Sequence, residues 1–431
     1  MYSPAASGTP IVSVIVATYN WSGALRCAVQ SALLQTLKNI EILVVGDACT
    51  DDSEAVVQSF GDSRVRWTNL EHHYGHQWGP NNEGLRTARS EWVAYLGHDD
   101  IWYPTHLESA LRVAAEKSAD LVAGATILFG PPLSGIRAIT GLFRTQELKP
   151  PEWAPPSSWV HRRSLVDIAG YWTNPSELSL PADIDFMKRL LAVGARTACT
   201  NELTVFKFNA GTRDTYKIKT NTEQQELLRK VQSGTDFRHH ELIDLIRAES
   251  LGMTIKIEMP SDEHPAGAVH KWHQRLKGIQ PRFSNDELRT LDSLERFSIT
   301  DHNGWMEWHE EEIHPTFGKF RWTGPQRRST IDLPIRLDRE FIIRIHILGA
   351  LRIELLPPQL KVGLNSVPVH MERTDVGTFL LFARARPHER SDTSVSVTIE
   401  LGATIRPCDL GNNPDQRRLG AMVNWIELEP G

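Results

Sequence analysis

Acidic side chains stand in this 431-residue chain where apolar runs come to an end. Asp47 follows EILVVG, and Asp99 and Asp100 follow EWVAYLGH. Two adjacent carboxylates at a strand end repel one another unless a cation lies beside them. A hard divalent ion held by one or two carboxylates and by phosphate oxygens is the partner that chemistry suits. A helix N-cap would account for one of the two Asp, not both. Farther on, Asp183 and Asp185 open the helical run ADIDFMKRL. Residues two apart on a helix face different ways, so one can serve a reaction while the other supports the helix, and the bland alternative for Asp183 is a cap. His72, His73 and His76 in EHHYGHQWG are metal-ligating in type but fit no zinc spacing, and read as a polar loop.

These groups need a frame to position them. From Ile11 to about Ala125 short apolar runs alternate with amphipathic stretches, which predicts βαβ units and a mainly parallel sheet. IVSVIVA, EILVVG, RVRWTNL and EWVAYLG read as strands. The segment carrying Leu25, Ala28, Val29, Ala32 and Leu33, the run TDDSEAVVQSF with Thr50, Asp51 or Asp52 as N-cap, and NNEGLRTARS read as helices. In an open α/β sheet ligands bind beyond the carboxyl ends of strands, and ATYN, GDA and GHDD all fall there. A helix-rich stretch follows from Trp159 to Arg196, its main helix stopping near Gly194.

The succession VSVIVATYN, EILVVGDACTDDS, GPNNEGLRTARSEWVAYLGHDD, HRRSLVDIAGYW and ADIDFMKRL resembles family 2 glycosyltransferases. The resemblance covers about half the chain. It implies a GT-A fold and transfer of a sugar, with inversion, from a nucleoside diphosphate sugar, a UDP-sugar favoured, to a glycan or lipid-linked acceptor. It implies Mn²⁺ or Mg²⁺ as cofactor and a setting in bacterial surface polysaccharide synthesis. By the same resemblance Ala17, Tyr19, Asp47, Asn82 and Asp99 bind the donor, Asp99 and Asp100 hold the metal, and Asp183 is the catalytic base. His161, Arg162 and Asp185 then fall on the acceptor side. The chain departs from common family choices at Gly46 and Gly97, where many relatives are acidic, and at Asn81, where many are basic. Those departures motivate a rival reading, a catalytically decayed GT-A protein that acts as a carbohydrate-binding or assembly module. A nucleotidyltransferase would want a Gly-rich basic phosphate loop near the N-terminus, and none is visible.

The grammar changes after Leu294. FIIRIHIL, LRIELL, KVGLNSVPVHM, TFLLFARA, SVSVTIELG and MVNWIELE are short alternating runs punctuated by Gly, Pro, Asn and Asp, the pattern of a β-sandwich. The expected organisation is therefore α/β: a GT-A domain over 1–219, a helical connector over 220–294 and an all-β accessory sandwich over 295–431. Trp305, Trp308, Phe317, Phe320 and Trp322 invite a sugar-stacking role, yet Phe320 and Trp322 are two apart and share a strand face, which suits a core as well.

A net charge of -6 argues against a nucleic-acid binder or an anionic-membrane binder, each of which needs a basic face. Cys27, Cys49, Cys199 and Cys408 are too scattered for a disulfide framework or zinc site, which favours a reducing, cytoplasmic setting. No apolar run reaches the length of a membrane span and the start lacks the form of a signal peptide, so peripheral contact with the inner face of a membrane is the membrane role left open.

Overall fold

The structure is a computed structural model that describes residues 8–130, 134–148, 152–208, 219–254, 266–267, 288–299, 308–324, 327–336, 339–362, 365–385, 394–411 and 413–431. The chain divides into two compact units, one built mainly from residues up to Leu245 and the other mainly from 278 onward.

The first unit is a three-layer α/β/α arrangement. Its strands are β1 (Val12–Thr18), β2 (Ile40–Gly46), β3 (Val65–Asn69), β4 (Trp92–Tyr95), β5 (Ile101–Trp102), β6 (Leu121–Phe129), β7 (Arg137–Thr140), β8 (Trp159–Arg162) and β9 (Thr197–Phe208). They lie in the order β3-β2-β1-β4-β8-β6-β9-β5, with β7 on β6. The β3-β2-β1-β4 half is parallel, β8 runs against its neighbours, and β6 and β9 are parallel again. Helices α1 (Ser22–Leu33), α2 (Ser53–Gln58) and α4 (His106–Lys117) cover one face, and α3 (Trp78–Thr87), α5 (Ser164–Ala169) and α6 (Ala182–Ala192) the other. Alternation along β1 decides the division: Val12, Val14 and Val16 join the first layer, while Ile15 joins the second. Central strands buried on both faces explain why β1, β2 and β4 read as near-continuous apolar runs.

The helices and strands expected from Ile11 to Trp92 form, with α3 spanning Trp78–Thr87 rather than NNEGLRTARS, and α6 stops before Gly194, whose φ of +85° suits a residue without a Cβ. The stretch 159–196 holds a strand, β8, as well as helices. Helix α7 (Thr222–Gln232) packs into this unit through Leu227, Leu228 and Val231 against Cys27, Ile101 and Phe206. Among the described residues no helix is long and apolar enough to cross a membrane.

The second unit is a sandwich. Its strands are β10 (Glu295–Ser298), β11 (Trp308–His314), β12 (Gly318–Thr323), β13 (Arg328–Arg336), β14 (Phe341–Ala350), β15 (Gln359–Val362), β16 (Asn365–Val367), β17 (Val369–Arg373), β18 (Phe379–Ala385), β19 (Ser394–Glu400) and β20 (Ala421–Pro430). One sheet has the order β11-β12-β20-β14-β18-β17 with β10 on β20, and the other β13-β19-β15-β16. Its core joins Ile331, Leu333, Val395, Val397 and Ile399 of the smaller sheet to Ile343, Ile345, Leu381, Ile426 and Leu428 of the larger. These are every second residue of their strands, as a half-buried sheet requires. LRIELL departs from the strand expected of it: Ile353–Leu355 is a 3-10 turn. Trp308, Phe320 and Trp322 are buried, so these three are core rather than a sugar platform; Trp305 lies outside the described residues.

Candidate functional site

In the order β3-β2-β1-β4, chain connections leave β1 in opposite directions across the sheet, so a crevice opens beyond the carboxyl ends of β1 and β4. Ala17 and Thr18 end β1, and the turn Gly97–Asp100 follows β4. His98 ties the two ends together, its Nδ1 lying 2.9 Å from Thr18 Oγ1 and 3.3 Å from the Tyr19 amide nitrogen. The Tyr19 ring in turn stacks on His73, with centroids 4.1 Å apart. His73 and Tyr19 thus form an aromatic wall at this end of the sheet.

Asp47 organises that wall from below. Its Oδ1 accepts the Tyr74 amide at 2.8 Å and its Oδ2 the Gly75 amide at 2.9 Å, while His73 Nδ1 lies 3.0 Å from Oδ2. The carboxyl is buried, and burial raises its pKa although those donors and His73 pull it down. No acidic side chain fits one position earlier: a Cβ on Gly46 would sit 2.5 Å from Asn69 Oδ1 and 2.7 Å from the Trp67 ring.

The adjacent pair Asp99 and Asp100 is not symmetric. Asp100 is fully buried, and its Oδ1 accepts the Phe208 amide at 3.1 Å. Its Oδ2 accepts both the Ser157 hydroxyl and, at 2.9 Å, the Lys207 ammonium from the end of β9. Ser157 sits in the short 3-10 turn Pro156–Ser158 and takes the Gly97 amide at 3.1 Å, which locks the turn after β4. A Cβ on Gly97 would lie 2.6 Å from Asp100 Oδ2 and 3.3 Å from Asp99 Oδ1, so the missing side chain is the space that Asp100 occupies. Burial depresses the Lys207 pKa, but Asp100, Asp99 and then Asp183 together raise it above the ordinary value, so it stays charged. Asp99 is 7% exposed and its backbone carbonyl is reached by Gln224 of α7.

Asp183 lies in the first turn of α6, after Pro181. Trp153 Nε1 donates to its Oδ2 at 3.2 Å. Burial raises its pKa, opposed by backbone amides at the helix start, by Trp153 and by Lys207. Asp185 instead pairs with Arg189 one turn on, at 2.9 Å, and Arg189 donates to the carbonyls of Ala169 and Gly170, which fastens α6 to the end of α5.

Three other sequence-identified residues sit apart from this group. Asn82 is buried in a reciprocal pair with the Trp172 backbone, donating to its carbonyl and accepting from its amide, each at 2.9 Å. The neighbouring Asn81 is the one whose buried Nδ2 has no hydrogen-bond partner among the described residues. His161 is fully buried, with Nε2 3.1 Å from Tyr95 Oη and Nδ1 2.9 Å from the Arg162 carbonyl oxygen, and burial lowers its pKa to about 4. Arg162 pairs with Glu91 and Asp120 and lies over Trp92. Strand β8 thus turns His161 inward onto Tyr95 and ties Arg162 to neighbouring loops.

Lys207, Ser157 and Trp153 were not singled out by sequence. A signal existed for the first: TVFKF places a single cation inside an apolar strand end. The donor set also bears on the metal. Among the described residues no three His, Cys, Asp or Glu side chains group to hold an ion by themselves. A divalent cation that takes one carboxylate and fills its shell with phosphate oxygens and water does not need such a group. The oxygens of Asp100 accept from Lys207, Ser157 and Phe208.

The carboxyl-end crevice at the switch point of an open α/β sheet is where such folds bind their ligands. Residues 13–152 match the family model described as Glycosyl transferase family 2. An uncharacterized glycosyltransferase of Rickettsia typhi is 36% identical over 105 residues, which is 24% of this chain and 32% of that protein. The Escherichia coli protein named UDP-Glc:alpha-D-GlcNAc-diphosphoundecaprenol beta-1,3-glucosyltransferase WfaP is 35% identical over 24% of this chain and 40% of its own. The chain thus spans about a third of the length of the curated relative from Rickettsia typhi. A solved structure of S. aureus TarS residues 1–349 with UDP-GlcNAc is similar at TM-score 0.38 and 22% identity, over 46% of this chain and 58% of that one.

Proposed function

We propose that the first unit transfers a sugar from a nucleoside diphosphate sugar, a UDP-sugar favoured, to a hydroxyl of a glycan or lipid-linked acceptor, with inversion at the anomeric carbon. The observation that carries this reading is the ion pair of Asp100 with Lys207 at 2.9 Å beside Asp99, at the carboxyl ends of β4 and β9, with Asp183 in electrostatic reach of Lys207. The Tyr19–His73 wall, held by Asp47, offers flat surface and polar atoms to a nucleobase. Asn81 Nδ2 is an unused buried donor for an anionic ligand at the start of α3.

Asp99 is the residue to hold Mn²⁺ or Mg²⁺. When bound, such an ion offsets the charge that grows on the leaving diphosphate. Asp183 accepts the proton of the attacking hydroxyl, and a buried carboxyl raised above its ordinary pKa is a stronger base for that step. Trp153 fixes the orientation of the carboxylate through its Oδ2. Such relatives as the WfaP protein are named for a diphosphoundecaprenol acceptor, which supports a bacterial surface-polysaccharide role and action close to a membrane for this chain.

The test is calorimetric titration of the full chain with UDP, GDP and dTDP, followed by transfer or donor-hydrolysis assays with the corresponding sugars. Saturable binding of one nucleotide, with hydrolysis or transfer of its sugar, is expected. Binding of free glycans with no nucleotide binding would favour the decayed, carbohydrate-binding alternative.

A further inference from the structure

Among the described residues Lys207 is the cation paired with the acidic turn, and it is absent from every motif that carries the family resemblance. Its strand, β9, runs parallel to β6 and brings residue 207 to the same end of the sheet as the turn after β4, because Ile101 and Trp102 pair directly with Phe206 and Val205. The Nζ is 2.9 Å from Asp100 Oδ2, and a quarter of the side chain reaches solvent. Among the described residues Asp100 is its hydrogen-bond partner. An ammonium has three donors, so its pairing with one carboxylate leaves capacity for an anionic ligand. Gly97 completes the device, since any side chain there would drive Asp100 out of the position in which it seats Lys207.

We propose that Lys207, seated on Asp100 in the space left by Gly97, is a built-in cation for the donor diphosphate, which makes nucleotide binding partly independent of divalent metal. This rests on the donor reading above and adds a specific division of labour to it. Asp99 takes the exchangeable ion. Asp100 acts through Lys207 as a positioning residue. A Lys ammonium meets phosphate as a point charge, and a charge-assisted contact of this kind contributes about tenfold or more in affinity.

The experiment is calorimetric titration of the full chain with UDP, GDP and dTDP, each in excess chelator and again with Mn²⁺. Wild type is expected to keep measurable binding of its preferred nucleotide in chelator. Lys207→Arg should retain that binding and Lys207→Met should weaken it about tenfold or more. Because Lys207→Met strands Asp100 as a buried charge, the titration is repeated on Asp100→Asn and on Asp100→Asn/Lys207→Met, where no charge is stranded. The single Asp100→Asn variant, whose amide oxygen can still accept from Lys207 but no longer holds it as an ion pair, should bind in chelator more weakly than wild type and keep the enhancement by Mn²⁺, while the double variant should lose chelator-resistant binding. If the double variant binds in chelator as well as Asp100→Asn does, Lys207 does not meet the ligand. Loss of Mn²⁺ enhancement in Asp100→Asn alone would make Asp100 a metal ligand and overturn the division of labour. Failure of wild type to bind any of the three nucleotides in either buffer would remove the donor reading itself, and this proposal with it.

Discussion

The two units handle charge in opposite ways. In the sandwich, charged side chains lie on outward strand positions and pair near the surface, as Lys361 with Glu400 and Arg384 with Glu340 do, while the inward positions are apolar. In the α/β unit, Asp47, Asp99 and Asp100 are buried at one end of the sheet, with Lys207 and Asp183 partly buried beside them. Burying ionisable groups is costly unless each finds partners. In the sandwich the buried Glu427 meets that cost with Arg296; the α/β unit meets it with Ser157, the Phe208 amide, Trp153 and the His73 loop. The lesson is that the described core of the second unit is apolar, whereas the first unit gathers buried carboxylates and a cation at one end of its sheet.

The largest expected effect tests whether that region performs chemistry. Asp183→Asn keeps the shape and removes the base, so turnover should fall by about 10² to 10⁴ while nucleotide affinity holds. Near-wild-type transfer by this variant would erase the proposed contrast at Asp183.

The pH dependence follows from the same group. Because the Asp183 pKa is raised, activity should be lost on acidification at a pH above the ordinary carboxylate value of about 4, with kcat/KM falling roughly tenfold per unit below the break. Its contribution to stability has the opposite sense. Between the unfolded and the raised folded pKa the native state holds a proton that the unfolded chain releases, so this group makes the unit less stable as pH rises through that window. A kcat/KM profile and a series of thermal melts read the two effects, and an acid limb at or below pH 4 would show that Asp183 is not the base.

A core substitution in the sandwich should act on stability alone. Ile345→Ala removes a fully buried side chain and should cost about 2–5 kcal/mol in that unit, read by denaturant unfolding, with nucleotide affinity of the first unit unchanged. A parallel loss of nucleotide binding would mean that the sandwich contributes to the donor site. The smallest effect is at Asp185, whose partner Arg189 is itself part-exposed. Asp185→Asn should cost about 1 kcal/mol and change turnover much less than Asp183→Asn does. If it abolishes transfer in a folded protein, the base is the other carboxylate.

Much of the frame was legible because periodicity and burial agree: β1, β2 and β4 are near-continuous apolar runs since both faces of the sheet are covered, and the sandwich strands alternate because one face is. The carboxyl-end placement of Asp47 and of Asp99–Asp100 was legible for the same reason. What sequence did not reveal depends on contacts between distant segments. Asp99 and Asp100 look equivalent until Lys207, 107 positions after Asp100, selects one of them. Asn81 and Asn82 are likewise adjacent and alike in chemistry, and only the Trp172 backbone distinguishes the engaged side chain from the unengaged one. His161 reads as polar, but its strand turns it inward onto Tyr95.

The vacancy at Gly97 also shapes which mutational routes are open. An acidic residue there would bring a Cβ to 2.6 Å from Asp100 Oδ2, which Lys207, Ser157 and the Phe208 amide hold in place. Asp100 would have to leave, and Lys207 would then face solvent without its anchor. Gly97, Asp100 and Lys207 are therefore epistatic: a single step toward a further carboxylate at 97 passes through an intermediate worse than either end point. Replacing the three together is the accessible path, so a chain of this kind is expected to drift slowly at these positions while exchanging outward residues such as Arg112 and Glu116 freely.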